Sequence, residues 1–252
     1  MSMSTEKVLT EVEPKNLFQR LQNELSSLIA DTPAGERLPS EPELARRLGV
    51  SRATLREAMR SFEGQGLIRR RQGVGTFVVN QTNVIETGLE VLESIETLAK
   101  RMNLRVSMGD LQIDHLIADE TRAEALHVLQ GSPLVQVTRV INAENRPVAY
   151  LVDLLPEEHL SPADLQDGFT GSVLDQLLRR PTLKLVESKT DIRAVSASPE
   201  IARALQIQRS DVLLMFVAQL FAADGSVVDY SYSYFLPGYF RFHVVRRVSS
   251  GY

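Results

Sequence analysis

The chain has no cysteine and no tryptophan, only four histidines, and aromatic residues make up 6% of it. Without thiols there can be no disulfide, no cysteine-held zinc and no thiol nucleophile, and the composition suits a reducing compartment. His115, His127, His159 and His243 fall at no metal-ligand spacing and read as structural, so no metal is expected. Long apolar runs are missing too. The longest, Val212 to Ala218, is far too short to cross a bilayer, so no membrane partner is expected. The opening stretch MSMSTEKVLTEVEP, residues 1–14, is polar and expected to be a flexible N-terminus; it lacks the apolar core of a signal peptide, and a cytoplasmic protein is expected. There is no Walker A loop, no HExxH and no GxSxG, and Gly73-Val74-Gly75 opens no helix. Glu157-Glu158 reads as a solvated loop pair. No catalytic residue and no cofactor are therefore expected.

What is present is ample apolar material, 43% of 252 residues, with 24% charged residues. That suits a packed protein of one or two domains. Charge is unevenly spread. The segment from Arg37 to Arg71 holds nine arginines and four acids, a net +5, whereas the whole chain is −4, so the remainder carries −9. One basic segment in an acidic chain is the footprint of a DNA-binding face, and it favours two domains.

The punctuation of that segment predicts its structure. Leu17, Leu21, Leu25, Leu28 and Ile29 give Lys15 to Ala30 one apolar helical stripe. Ser40 with Glu43 fits a capping box for a helix from Glu41 to about Leu48, stopped by Gly49. Ser51 caps a second helix from Arg52 to about Glu63, in which Leu55, Ala58, Met59 and Phe62 form the inward stripe and Arg52, Thr54, Arg56 and Arg60 face away. Leu67 to Arg71 and Thr76 to Val79 read as two strands around a Gln72-Gly73-Val74-Gly75 turn. A helix-turn-helix followed by a hairpin is a winged helix.

LPSE, GVSRATLREA and GLIRRRQGVGTFV closely resemble the GntR family of bacterial transcription regulators, over about Leu17 to Val79. The resemblance implies a recognition helix in the major groove and a wing tip near the minor groove of double-stranded DNA. It nominates Arg37, Ser51, Arg52, Thr54, Arg56, Arg60, Gln72, Gly73 and Thr76 as DNA-binding. Arginine can bond guanine O6 and N7 together, and hydroxyls suit phosphates or base edges. Where the family often has a DNA-contacting arginine after LPSE, this chain has Pro42.

Beyond a polar linker at 80–85, a second domain is expected over 86–248. Ile85, Leu89, Leu92, Ile95, Leu98, Ala99 and Met102 mark a helix up to about Arg101, followed by a strand-rich stretch from Leu104 to His115. From there the sequence repeats weakly. ADETRAEAL (Ala118 to Leu126) aligns with ASPEIARAL (Ala197 to Leu205) at an offset of 79, and Leu134 to Val137 aligns with Leu213 to Phe216 at the same offset. Val148-Ala149-Tyr150 aligns with Val228-Asp229-Tyr230 at an offset of 80. Each half reads as a capped helix, a long strand, a turn and a returning strand. Ser172 to Arg180 reads as a helix and Leu183 to Val195 as a strand between the halves. The simplest inference is an α+β domain of two related halves sharing one antiparallel sheet.

This order resembles the UTRA ligand-binding domain of the HutC branch of the GntR family, with a chorismate-lyase-like fold, over about Val84 to Val248. The resemblance implies a small-molecule effector in a pocket on the sheet, and nominates Ser94, Arg139, Ser172, Asp229 and Phe235. Arg139, mid-strand among apolar neighbours, either holds an anionic group of the effector or pairs with an internal acid. Ser172 is a pocket serine, a helix N-cap, or both. The aromatic cluster from Tyr230 to Phe242 lines the pocket, the core or a dimer interface.

The function expected is that of a sequence-specific transcription regulator, a repressor, controlled by a small-molecule effector with an anionic group and an apolar body bound in the C-terminal domain, and acting as a homodimer on a pseudo-palindromic operator. The alternatives are an enzyme related to chorismate lyase, and a DNA-binding dimer with no effector.

Overall fold

The structure is a computed structural model that describes residues 14–64, 66–71, 73–79, 84–160, 162–165, 169 and 171–246. It divides into two compact units, Met1–Gln81 and Thr82–Tyr252.

The first unit runs α1 (Pro14–Asp31), α2 (Glu41–Leu48), α3 (Arg52–Gly64), β1 (Ile68–Arg71) and β2 (Gly75–Val78). The stripe on α1 delivers Leu21, Leu25 and Ile29 to the same core as Leu44 of α2 and Leu55, Met59 and Phe62 of α3. Gly49 takes the left-handed conformation (φ 65°) that lets its N–H close on the carbonyls of Ala45 and Arg46, so the chain turns within one residue. At Ser51 the expected cap is present: the Thr54 N–H donates to Ser51 Oγ at 3.1 Å. The capping box at Ser40 is not formed. Ser40 has extended backbone but its side chain accepts no cap hydrogen bond, because Pro42 in the first turn removes one of the amides such a cap would serve. β1 and β2 pair antiparallel, Ile68 opposite Val78 and Arg71 opposite Gly75, and the Arg71 guanidinium lies 5.0 Å from the Phe77 ring centre. Residues Glu36 to Leu38 add a third rung: the Leu38 N–H donates to the Thr76 carbonyl and the Val78 N–H to the Glu36 carbonyl.

The second unit is built on a six-stranded antiparallel sheet. Its strands are β4 (Val106–Ile117), β5 (Pro133–Ala143), β6 (Arg146–Pro156), β7 (Leu185–Ser196), β8 (Val212–Ala222) and β9 (Val227–Phe235), in the order β4-β5-β6-β9-β8-β7. Helices α5 (Glu120–Leu126) and α7 (Pro199–Ala204) occupy equivalent places in the two halves. The repeat is therefore longer than its sequence signature, since each half also contains the edge strand before its helix. It extends to local detail. Asp119 Oδ1 and Ser198 Oγ, 79 positions apart, accept the cap hydrogen bonds from Arg122 and Ile201. His127 and Gln206, also 79 apart, both leave their helices at φ 55°. The halves meet where β6 pairs with β9, Ala149 opposite Phe235 and Leu154 opposite Tyr230.

The expected helix over 86–101 is corrected. Ile85–Gly88 is a strand, β3, in parallel pairing with β10 (Phe240–His243), and only Ile95–Arg101 is helical, as α4. Ile85 is buried (1% exposed) against that distant partner, while Leu89, Val91 and Leu92 are exposed. Helical spacing of apolar residues was thus outweighed by a pairing across more than 150 positions, aided by a glycine that is poor in helices. Helix α6 (Val173–Leu178) and a 3-10 turn (Pro162–Leu165) complete the unit. The linker segment 80–83 and the first thirteen residues lie outside the described residues, and Pro14 of the expected flexible N-terminus opens α1.

Each unit has its own core, which sets a test. Leu55 has no exposed surface among α1, α2 and α3, so Leu55→Ala should cost the first unit about 2–5 kcal/mol. Urea unfolding followed by far-ultraviolet circular dichroism should show one transition moved to lower urea and the transition of the second unit unmoved.

Candidate nucleic-acid interface and ligand pocket

On the first unit, the outer face of α3 exposes Arg52 and Arg56 and half-exposes Thr54 and Arg60, with Ser51 exposed at the helix start. Arg37, Gly73 and Val74 are exposed as well. Thr76, expected on this surface, is buried in β2 and its side chain is not presented. Gln72 lies outside the described residues. The sequence reading missed Glu41. Its carboxylate takes Arg56 Nε at 2.8 Å and Arg70 NH2 at 2.9 Å, tying the first turn of α2 to α3 and to the wing strand. Burial opposes its ionisation, but the hydrogen bond from Arg56 and the charges of Arg70, Arg56 and Arg52 hold the Glu41 carboxyl below its usual range. Glu63 Oε1 accepts the Arg70 N–H, and Arg60 pairs with Glu57 at 2.8 Å. These pairs are exposed and weak, so a phosphate can displace them. Among the described residues Arg52 has no ion-pair partner, which leaves its fork available at the helix N-terminus.

In the second unit, strand alternation sends Arg139, Leu151, Asp153, Asp229, Ser231, Ser233 and Phe235 to one face of the sheet. That face floors a cavity of about 730 Å³, walled by residues 87–96, the start of α6 and β10. Ser94, Arg139, Ser172, Asp229 and Phe235 all line it. One end is polar. Arg139 Nε donates to the Gly171 carbonyl and its NH1 to Asp153, both buried. Gly171 sits at φ 106°, and a side chain there would meet Glu96 and Met108. Ser94 caps α4 by accepting the Thr97 N–H at 3.0 Å and donates to Asp175 at 2.9 Å, and Ser172 caps α6 by accepting the Asp175 N–H at 3.0 Å. The other end is aromatic, with Phe216, Phe235, Phe240 and Phe242 in mutual contact at centroid distances of 4.6–5.9 Å.

Two family models match the chain: bacterial regulatory proteins of the gntR family over residues 15–78, and the UTRA domain over residues 101–241. The chain belongs to the GntR family. Its UTRA domain places it in the HutC branch. It is similar to the histidine utilization repressor of Pseudomonas putida, 29% identical over 80% of this chain and 81% of that one. It is also similar to the HTH-type transcriptional repressor NagR of Bacillus subtilis, 27% identical over 84% and 86%. Among solved structures, PhnF from Mycobacterium smegmatis shares the fold with a TM-score of 0.63 at 21% identity, over 91% of this chain and all of that one.

GntR proteins are DNA-binding regulators rather than enzymes, so the chorismate-lyase-like enzyme alternative falls away. Residues that sequence alone left with more than one reading take the following places in the structure. Ser172 is an N-cap and also a pocket-wall residue. Arg139 is paired with an internal acid. Of the aromatic cluster, Phe235, Phe240 and Phe242 line the cavity, whereas Tyr232 and Tyr234 lie on the opposite face of the sheet with Tyr150, whose hydroxyl donates to Glu200 at 2.9 Å. Sequence reasoning missed Glu96 and Asp153. Burial pushes the Glu96 carboxyl up, and burial together with the charge of Asp153 pushes Asp229 well up, despite nearby Arg139 and hydrogen bonding from Ser231 and Leu154.

Two outcomes follow for stability. A carboxyl raised in the folded state makes the fold less stable as pH rises above the unfolded aspartate value of about 3.9. Asp229→Asn should therefore raise Tm at pH 7, and the gain should vanish below about pH 4, where the group is protonated in both states. Calorimetry across pH checks this. Arg139→Met leaves Asp153 buried and uncompensated and should cost about 3–5 kcal/mol in urea unfolding, most of which Arg139→Met with Asp153→Leu should restore.

Proposed function

We propose that this protein is a cytoplasmic, homodimeric transcriptional repressor whose operator affinity is set by a small molecule bound in the UTRA domain. The observation that carries the reading is the pairing, in one chain, of a basic winged helix with a separate unit holding a ligand-sized cavity. The relatives named as repressors support the sign of the regulation.

The DNA-binding domain spans 15–79. The effector-binding and dimerisation domain begins at Ile85 and runs to 248. Arg52 reads a base edge in the major groove from the first turn of α3. Ser51, Thr54, Arg56, Arg60 and Arg37 contact the backbone, and Gln72 and Gly73 at the wing tip approach the minor groove. Two-fold symmetry then requires a pseudo-palindromic operator with half-sites about one helical turn apart. Ser94, Arg139, Ser172, Asp229 and Phe235 surround the effector. It shifts DNA affinity only by binding one arrangement of the dimer better than another. Coupling runs through the segment entering β3, since Thr87 and Gly88 of that strand line the cavity.

Fluorescence anisotropy on the protein's own upstream DNA is the test. Salt-dependent, sequence-preferring binding is expected. Arg52→Ala should cost about 1–3 kcal/mol on the operator and little on unrelated DNA. Equal losses on both would remove Arg52 from base reading, and absence of sequence preference would sink the repressor reading.

A further inference from the structure

The cavity on the sheet is acidic. Among the described residues six carboxyl side chains line it (Glu90, Glu93, Glu96, Asp153, Glu187 and Asp229) against one basic side chain, Arg139, and of the six Glu93 is paired with Arg101 at 2.7 Å. That arginine is already engaged by Asp153 and by the Gly171 carbonyl, so its charge is spent inside the wall. Asp175 stands just behind, holding Ser94. Two wall carboxylates are left incomplete. Asp229 is 6% exposed, and its Oδ1 is buried with no hydrogen-bond partner among the described residues. Glu96 Oε1 is in the same condition beside Gly171.

A buried acceptor without a donor is costly, and a carboxylate most of all. Glu96 lies against Gly171, whose carbonyl takes Arg139, and Asp229 is on the same sheet face as Asp153, two residues from Ser231, the cross-strand partner of Asp153, so both stand at the polar end of the cavity. A cleft lined by one sign of charge attracts ligands of the other sign. At the far end the phenylalanines and Leu151 offer an apolar wall. We propose that the UTRA cavity of this protein takes a cationic small molecule, an amine, amidine or guanidine, whose N–H groups pair with the carboxyls of Asp229 and Glu96 in the cavity wall and whose apolar body lies against the phenylalanines. This rests on the effector reading above and fixes the chemical class of the effector. It reverses the charge expected from Arg139 alone, because that side chain is neutralised from within. A cation brings the donors both carboxyls lack and favours their ionised form.

The test uses the full chain and pairs of probes that share a skeleton and differ in charge: benzamidine with benzoate, phenethylamine with 3-phenylpropanoate, and putrescine with adipate. Binding is measured by thermal shift and calorimetry at millimolar concentration. At least one cation should bind about tenfold or more tightly than its carboxylate partner, and Glu96→Gln and Asp229→Asn should each bring that ratio towards one. Equal or tighter binding of the carboxylates, or binding of no probe of either charge, overturns the proposal, as does a preference for cations that both variants leave unchanged. The effector reading fails separately. If an anionic or uncharged molecule releases operator DNA from this protein, that reading stands and the cation assignment falls. If cations bind the cavity and operator affinity does not respond, the assignment stands and the effector reading falls.

Discussion

The second unit depends on one seam, the antiparallel pairing of β6 with β9. It joins two half-sheets, each made of a strand, a capped helix and two further strands. Each half alone would leave a long strand edge unpaired, and edges of that kind recruit other chains. Pairing the two returning strands removes both edges at once. Because side chains alternate along a strand, the register of that seam also decides chemistry. Asp153 lies opposite Ser231 and Leu151 opposite Ser233, so Asp153, Asp229 and Phe235 arrive on one face. A slip of one residue would send that whole set to the other face, where Tyr150, Tyr232 and Tyr234 now lie.

A comparable role falls to Glu41 in the first unit. Helix α3 and the wing are positioned by a shared apolar core, and Arg56 and Arg70 have then to be fixed at the surface. A half-buried carboxylate that bonds Arg56 and Arg70 together does so. Each pair is worth little in stability at such exposure. Its value lies in holding two long side chains on one side of the molecule while leaving Arg52 uncommitted. Pro42 fits the same arrangement, since proline in the first helical turn loses no intrahelical hydrogen bond, and Glu41 beside it faces the arginines.

Much of this was legible in the sequence, for identifiable reasons. The winged helix could be read because its signals are local: Gly49 and Ser51 mark the turn, and the stripe Leu55, Ala58, Met59, Phe62 marks the buried face. The repeat exposed the two-half sheet because capped helices and their following strands keep a fixed spacing. What failed was non-local. β3 was read as helix because its partner, β10, lies more than 150 residues away. The edge strands were not assigned to the repeat because their faces are half-exposed and carry little apolar alternation. Glu96 escaped notice for the opposite reason. It sits in the first turn of α4, where an acid is ordinary, and only the fold shows Gly171 and the Arg139–Asp153 pair against it.

The misread strand also bears on control. Chain emerging from the DNA-binding unit enters the second unit as β3, and β3 pairs with β10 in a two-stranded parallel sheet separate from the six-stranded one. Such a small sheet is a weak element in isolation. Its stability comes from the core it packs on, where Ile85 and Phe240 join Leu98, Val140 and Ile141, and Phe240 and Phe242 of β10 with Thr87 and Gly88 of β3 also form part of the cavity wall. A ligand against those phenylalanines adds contacts to the pair of strands that anchors the incoming chain, while the six-stranded sheet beneath is fixed by its own pairing. A helix continuous from 86 to 101 would have transmitted a signal as a rigid rod. On the effector reading proposed above, a short strand pair in the cavity wall would make the anchorage itself sensitive to occupancy, so the element expected to respond is the one the chain enters on leaving the DNA-binding unit.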